Sequence, residues 1–449
     1  MAGERTVLTF ADAPLEIIDG DRGSNYPKQS DFHATGYCLF LNAGNVTSRG
    51  FDFSHCAFIA AEKDAALRKG KLVRGDVVLT TRGTVGNAAY FDDSIPFENI
   101  RINSGMVILR AKTSALMPRY LYLFVRSLLF YEQIRALRTG SAQPQLPIRD
   151  INRIEIPIPR LEEQRAIAHI LGTLDDKIEL NHRINETLEA IAQAIFKSWF
   201  VHFDPVRAKV EGRDAELPKH IANLFPDRFE DSELGPIPEG WKAGQMQEIL
   251  HELVSGSRPK GGAITEGVPS IGAENVLGLG LYDFSKEKYI PQDLYEQLNM
   301  KGAVIRPGDV LLYKDGAQIG RKTYFDCSFP HATSAINEHV FILRAKRAWF
   351  QRFLFFWLDQ RWMTEEIISL NSNSAQPGIN QRGVRSLPIL IPDTRAVKEF
   401  DALIRPFIQR LFQNCLESRS LASLRGALLP KLISGELQLR DAEKFLEYT

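Results

Sequence analysis

One unit is written twice in this chain, at an offset of about 233 residues. Gly75-Asp76-Val77-Val78-Leu79 returns as Gly308-Asp309-Val310-Leu311-Leu312, and Tyr90-Phe91-Asp92 as Tyr324-Phe325-Asp326. Ile108-Leu109-Arg110-Ala111-Lys112 returns as Ile342-Leu343-Arg344-Ala345-Lys346. Ser141-Ala142-Gln143-Pro144 returns as Ser374-Ala375-Gln376-Pro377, and Ile156-Pro157-Ile158-Pro159 as Ile389-Leu390-Ile391-Pro392. The order never changes. Solenoid repeats run roughly 20–50 residues, so a period this long means two domain-sized copies.

Each copy follows one plan. A β-rich stretch comes first, with Val77–Thr80 and Val107–Leu109 read as buried strands. A helix is expected from Pro118 to about Leu137, closed by Gly140 and matched by Trp349 to about Leu370. Its aromatics align as Tyr120/Phe353, Tyr122/Phe355 and Phe124/Trp357, which suits core packing. The Ser-Ala-Gln-Pro turn, a short strand and a long helix follow. From Leu161 to about Phe200 there is no proline, and Ile167, Leu171, Leu174, Ile178, Leu188, Ala192, Ile195 and Trp199 repeat with coiled-coil spacing. Val397, Phe400, Ile404, Phe407, Leu411, Asn414, Ser418, Leu421 and Leu428 repeat that seam in register. Asn181 and Asn414 thus take equivalent seam positions, where a buried amide can specify register at a cost in stability; the alternative is that both flank the interface and are wet. About 40 helical residues span roughly 60 Å. A helix that long with one apolar stripe needs a partner, and the other copy is the nearest candidate. The expected fold class is α+β: two β-rich mixed domains separated by a pair of long antiparallel coiled-coil helices, with a pseudo-two-fold repeat. The expected boundaries are 1–160 and 241–392 for the β-rich domains, 161–202 for the central helix, and 393–449 for the C-terminal helix and tail. Residues 203–240, acidic and carrying Pro205, Pro218, Pro226, Pro236 and Pro238, read as an extended connector.

Net charge is zero, but its distribution is uneven. Residues 161–240 hold 9 basic against 16 acidic side chains, whereas residues 101–153 hold 9 against 2. The four cysteines stand far apart, without zinc-ligand or redox spacing, which suits a reducing compartment. No apolar run reaches the ~20 residues that cross a bilayer, and the N-terminus lacks an apolar signal core. A cytoplasmic protein without a membrane partner is expected. Catalytic machinery is not evident. There is no phosphate-binding G-x-x-x-x-G-K-[ST] loop and no paired Cys/His cluster. Phe203-Asp204-Pro205-Val206 lacks the second proline and the aromatic of an adenine-methyltransferase motif. Asp175-Asp176-Lys177 lies mid-helix and reads as a solvated face. No catalytic, cofactor-binding or metal-binding residue is assigned. A methyltransferase or nuclease with a diverged site, or a protein–protein adaptor, stays as the alternative.

Several segments, in this order, resemble the specificity subunit of type I restriction–modification systems. They are Gly75-Asp76-Val77-Val78 followed by Thr81-Arg82-Gly83-Thr84-Val85-Gly86, then Gly140-Ser141-Ala142-Gln143, then Ile156-Pro157-Ile158-Pro159-Arg160-Leu161-Glu162-Glu163-Gln164. Phe196-Lys197-Ser198-Trp199-Phe200-Val201-His202-Phe203-Asp204-Pro205 is similar to the family's central conserved region. Glu233-Leu234-Gly235-Pro236-Ile237-Pro238-Glu239-Gly240-Trp241 and Leu424-Arg425-Gly426-Ala427-Leu428-Leu429-Pro430-Lys431-Leu432-Ile433-Ser434-Gly435-Glu436-Leu437 extend the likeness to nearly the whole chain. The second copy departs from it. Asp315-Gly316-Ala317-Gln318-Ile319-Gly320 stands where the first has Arg82-Gly83-Thr84-Val85-Gly86, so the copies should contact different sequences.

The resemblance implies that each β-rich module is a target-recognition domain for one half of a split, asymmetric site in double-stranded DNA. It implies that the helix pair sets the gap and docks two methyltransferase subunits. ATP-dependent restriction subunits join them, and this chain itself is non-catalytic and binds no cofactor. Phosphate contacts position a protein and base contacts specify sequence, with Arg the usual reader of guanine. The candidate DNA-contacting residues are Arg22, Lys28, Arg49, Arg82 and Arg101 in the first module. Arg258, Lys260, Lys314, Arg321 and Lys322 are those of the second.

Overall fold

A computed structural model describes residues 6–112, 114–137, 144–370 and 378–437. Gly140 and the Ser-Ala-Gln-Pro turns lie outside the described residues, save Pro144. The architecture is α+β. The chain divides into two compact units, Met1–Ile178 with Ser420–Thr449, and Glu179–Arg419.

In the first unit, strands Leu15–Asp19, Met106–Ala111, Val77–Thr80 and Ala88–Tyr90 lie side by side in that order, all antiparallel. Successive side chains of a strand point to opposite faces. Val77, Leu79, Val107 and Leu109 therefore join one core with Tyr120, Phe124 and Ile167. Val78, Met106 and Ile108 join a second core with Leu39, Leu41, Ile100 and Ile102. Both faces are covered, which explains an apolar run without alternation. The second core is built on a smaller sheet, where Cys38–Leu41 pairs antiparallel with Phe58–Ile59 and parallel with Ile100–Ile102.

The second unit orders its strands the same way: Leu250–Ser255, Val340–Ala345, Asp309–Tyr313, Lys322–Phe325. Its smaller sheet pairs Val268–Ile271 antiparallel with Tyr289–Ile290 and parallel with Ala335–Ile336. The recurring Gly-Asp and Leu-Arg segments have a shared use. Arg110 Nε donates to Asp76 Oδ1 at 2.8 Å, and Arg344 Nε to Asp309 Oδ1 at 2.7 Å. Each aspartate is buried, and a buried carboxylate requires such a partner.

Two expectations about helices need correction. The segment after the sheet is broken, into Pro118–Val125 and Leu128–Leu137 in the first unit. Ser127 makes the break: its hydroxyl donates to the Phe124 carbonyl and accepts the Phe130 N–H, which satisfies groups that a helix end exposes. The second unit breaks likewise, into Gln351–Leu358 and Arg361–Ser369. The acidic segment 203–240 is not an extended connector. It forms helices Asp204–Val210 and Lys219–Ala222 and a short hairpin of Phe229–Glu230 with Ile237–Pro238. Val206, Ile221, Phe225 and Ile237 are buried in the core of the second unit.

The long helices run Leu161–Phe200 and Thr394–Ser434, the latter through Pro406 and Pro430. Within the second unit, Asn181 Nδ2 donates to Glu417 Oε2 at 2.8 Å and to Ser418 Oγ at 3.3 Å. Asn414 Nδ2 donates to Asn185 Oδ1 at 2.9 Å. Asn181 is 0% and Asn414 1% exposed. These bonds step along the two helices in opposite directions, and Phe196 against Phe400 continues the series. Within the first unit, Ile167, Leu171 and Leu174 share a core with Leu428 and Leu432. Asp175 is not on a solvated face there: Arg425 and Arg126 both hold it.

Candidate nucleic-acid interface

In the first unit Arg82 follows directly on strand Val77–Thr80. The preceding Thr81 N–H donates to the Gly105 carbonyl at 2.8 Å, and Thr81 O accepts from Leu146 at 2.9 Å. Arg82 itself bridges Gln145. Gly83 follows with φ +74°, a left-handed conformation that L side chains resist, so glycine closes the turn. Arg22 reaches the same place from the sheet's edge strand. Its Nη2 donates to the Ser104 carbonyl at 3.2 Å, and Asp19 pairs with its Nε at 3.2 Å. Arg49 sits at the tip of the hairpin Val46–Thr47 and Gly50–Phe51. Asn87, from the Arg82 loop, ties that hairpin down by donating to the Val46 carbonyl at 3.0 Å. The fold thus gathers Arg22, Arg49 and Arg82 around neighbouring turns. Lys28 is exposed elsewhere and caps the turn Gln29–Asp31.

Arg101 is a correction. It lies on strand Ile100–Ile102, is 5% exposed, and its Nε meets Asp64 at 2.5 Å. Its other nitrogens donate to the carbonyls of Lys69, Asp64 and Leu67. A guanidinium with its donors spent inside the fold has none to offer DNA.

The second unit repeats the frame with other side chains. Lys314 N–H donates to the His339 carbonyl at 3.0 Å, Lys314 O accepts from Ile379 at 2.8 Å, and Asp315 bridges Gly378. Asp315 therefore stands where Arg82 stands, and Lys314 where Thr81 stands. Gly316, at φ +111°, repeats Gly83. The Lys314 ammonium bonds Ser255 Oγ at 3.1 Å and lies 4.8 Å from the centre of the Phe341 ring. Arg258 pairs with Glu338 at 3.1 Å, beside the same turn, and Lys260 is exposed two residues on. Arg321 is half-buried at the far end of the 314–320 loop, its carbonyl accepting from Tyr313 at 2.8 Å.

Lys322 is the second correction. It lies on strand Lys322–Phe325, is 6% exposed and donates to Thr364 Oγ1. Burial pushes its ammonium down to about 8, against the opposing pull of Asp359. Burial also pushes Asp359 up, and Glu189 up to about 7. This cluster is internal to the second unit, below the end of the 314–320 loop where Gly320 approaches Thr364.

Positive charge alone does not point to Asp315, His339 and Glu338, which stand beside Lys314 and Arg258. His339 Nδ1 lies 2.5 Å from Asp315 Oδ1, and its Nε2 lies 3.5 Å from Glu338. The signal was present in the offset of 233, which sets Asp315 against Arg82. Among the described residues no group of three or more His, Cys, Asp and Glu side chains is placed to hold a metal ion. Among them no helix is long and apolar enough to cross a membrane.

Residues 16–190 match the family model described as type I restriction modification DNA specificity domain. The chain is similar to the specificity subunit of the type I restriction enzyme HindI of Haemophilus influenzae, at 25% identity over 93% of this chain and 98% of that one. It is also similar to the MjaIX specificity subunit of Methanocaldococcus jannaschii, at 24% identity over 85% of this chain and 81% of the relative. The crystal structure of a type I restriction–modification S subunit from M. genitalium shares the fold, with a TM-score of 0.54 at 16% identity over 96% of both chains.

Proposed function

Because the chain belongs to the family of type I restriction–modification specificity subunits, we propose that it is the non-catalytic DNA reader of such an enzyme. Each β-rich module reads one half of a bipartite, asymmetric site. The two long helices pair as an antiparallel coiled coil with pseudo-two-fold symmetry and fix the spacing between the halves. The same helices dock two methyltransferase subunits, to which ATP-dependent restriction subunits are added.

One observation carries this reading. The two units share strand order, buried Asp–Arg pair and turn framework, yet differ at the turn tip, with Arg82 in one and Asp315 in the other. A shared frame with different tips is what two unlike half-sites require. Arg22, Arg49 and Arg82 supply the phosphate and base contacts of the first module, with Arg258, Lys260 and Lys314 for the second. Mapping methylated adenines across the genome, with and without the gene, tests it. One split sequence should lose methylation when the gene is removed. An unchanged methylation map, or methylation by the purified chain alone, sinks the reading.

A further inference from the structure

The turn tips of the second unit allow a sharper statement, one that rests on their facing DNA as proposed above. The backbone at Asp315 is held as at Arg82, so an acidic side chain is delivered where the first unit delivers a basic one. The Asp315 carboxylate is not sealed in the core; its side chain is 28% exposed. His339 Nδ1 holds its Oδ1 at 2.5 Å, and among the described residues no other side chain is bonded to it. Glu338 flanks the ring of His339 and is itself paired with Arg258. A cavity of about 330 Å³ opens beside Asp315, lined also by Ser255, Lys314, Phe341, Asn380 and Gln381. Lys314 brings positive charge to the same rim, which offsets the repulsion between a carboxylate and the DNA backbone.

We propose that Asp315 is a base-reading residue and that the second module selects, at one position, a base bearing an exocyclic amino group in the major groove. His339 is its positioning residue. An ionised carboxylate only accepts hydrogen bonds. In the major groove the donors are the amino groups of cytosine and adenine, whereas guanine O6 and N7 and thymine O4 are acceptors. A carboxylate held there binds the first two and repels the others. At the equivalent place Arg82 does the reverse and favours guanine. The two half-sites therefore differ in the polarity of the base edge read at this position.

The experiment uses the full chain with its methyltransferase partners and duplexes carrying its mapped target. Each cytosine or adenine of the second half-site is replaced in turn by 2-pyrimidinone or purine, which lack the amino group. One replacement should weaken binding ~10-fold or more, and which analogue does so distinguishes cytosine from adenine. In Asp315→Ala that penalty should shrink to within about twofold, while base-pair mismatches elsewhere in the second half-site keep their penalties and report that the module is folded. Asp315→Asn serves as a second variant of unchanged shape. His339→Gln, which keeps an N–H donor, should retain the penalty that His339→Phe loses. A second half-site with no amino-dependent position, or a penalty undiminished in both Asp315 variants, overturns the proposal. Wild-type complex without any sequence-selective binding overturns the DNA-reading function itself.

Discussion

Arg101 donates to Asp64 and to three backbone carbonyls within the first unit. Removing one partner of a buried ion pair leaves the other charge uncompensated, at a cost of roughly 3–5 kcal/mol. Arg101→Ala should therefore lower the urea midpoint sharply and leave the selected half-site unchanged wherever the protein still folds. Arg82→Ala should behave oppositely. At a half-exposed turn it should shift stability by less than about 0.5 kcal/mol and relax one position of the first half-site, read from the methylation map. Lys322 gives a pH signature. Its folded value, pushed down to about 8, lies below the ordinary lysine value. Below pH 8 both folded and unfolded states carry the proton, and the burial penalty is fully present. As pH rises from 8 toward 10.5 the folded state loses the proton first, so the penalty is relieved. The unfolding free energy from urea titrations should thus rise from pH 7 to pH 10 relative to that of Lys322→Met, by a few kcal/mol at most. Equal pH slopes for the two proteins would exclude this account.

The two long helices hold a polar group of four residues in the second unit, with Asn181, Asn414 and Ser418 buried and Asn185 half-buried. A shift of 233 turns Asn181 into Asn414 and Asn185 into Ser418, so the Asn181–Ser418 and Asn185–Asn414 bonds are equivalent contacts. The Oδ1 atoms of Asn181 and Asn414 find no donor among the described residues. Each amide is half satisfied, a cost that an apolar seam would avoid. Pairing only in one register is the return for that cost. Asn181→Leu should stay within about 1 kcal/mol of the parent, because apolar contact replaces an imperfect bond. Asn181→Asp, which buries a carboxylate against Glu417, should cost roughly 3 kcal/mol or more at neutral pH. Denaturation midpoints of equal size for the two variants would show that this site is wet and of no importance to pairing.

At the scale of the molecule, the spacer role has its own consequence. Deleting four residues from each long helix, about one turn or ~6 Å, should shorten the gap by about two base pairs, given ~3.4 Å per pair. Both half-sites should stay the same. A methylation map with an altered half-site and a constant gap contradicts the spacer. The deletion must lie outside 181–185 and 414–418, since loss of those bonds would confound spacing with pairing.

Duplication, the buried strands, the aromatic core positions and both long helices were legible in the sequence. Each depends on local periodicity or on self-similarity, which a single chain displays. Val77 and Val78 could be read as buried, but not assigned to two different cores, since that division belongs to the layers above and below the sheet. The break at Ser127 is local, a hydroxyl bonded to groups three residues away on either side, and the continuous apolar pattern masked it. The folding of 203–240 depended on contacts with distant segments, which no local pattern carries. The site divided in the same way. Charge and loop position pointed to Arg82, and they pointed equally to Arg101 and Lys322. Only burial separates a cation whose donors are used inside the fold from one that keeps them for a partner. Asp315 was visible as a difference between the copies. Its meaning came from the hydrogen bonds that place it in the position of Arg82, because equivalence of position is set by the tertiary frame and not by residue type.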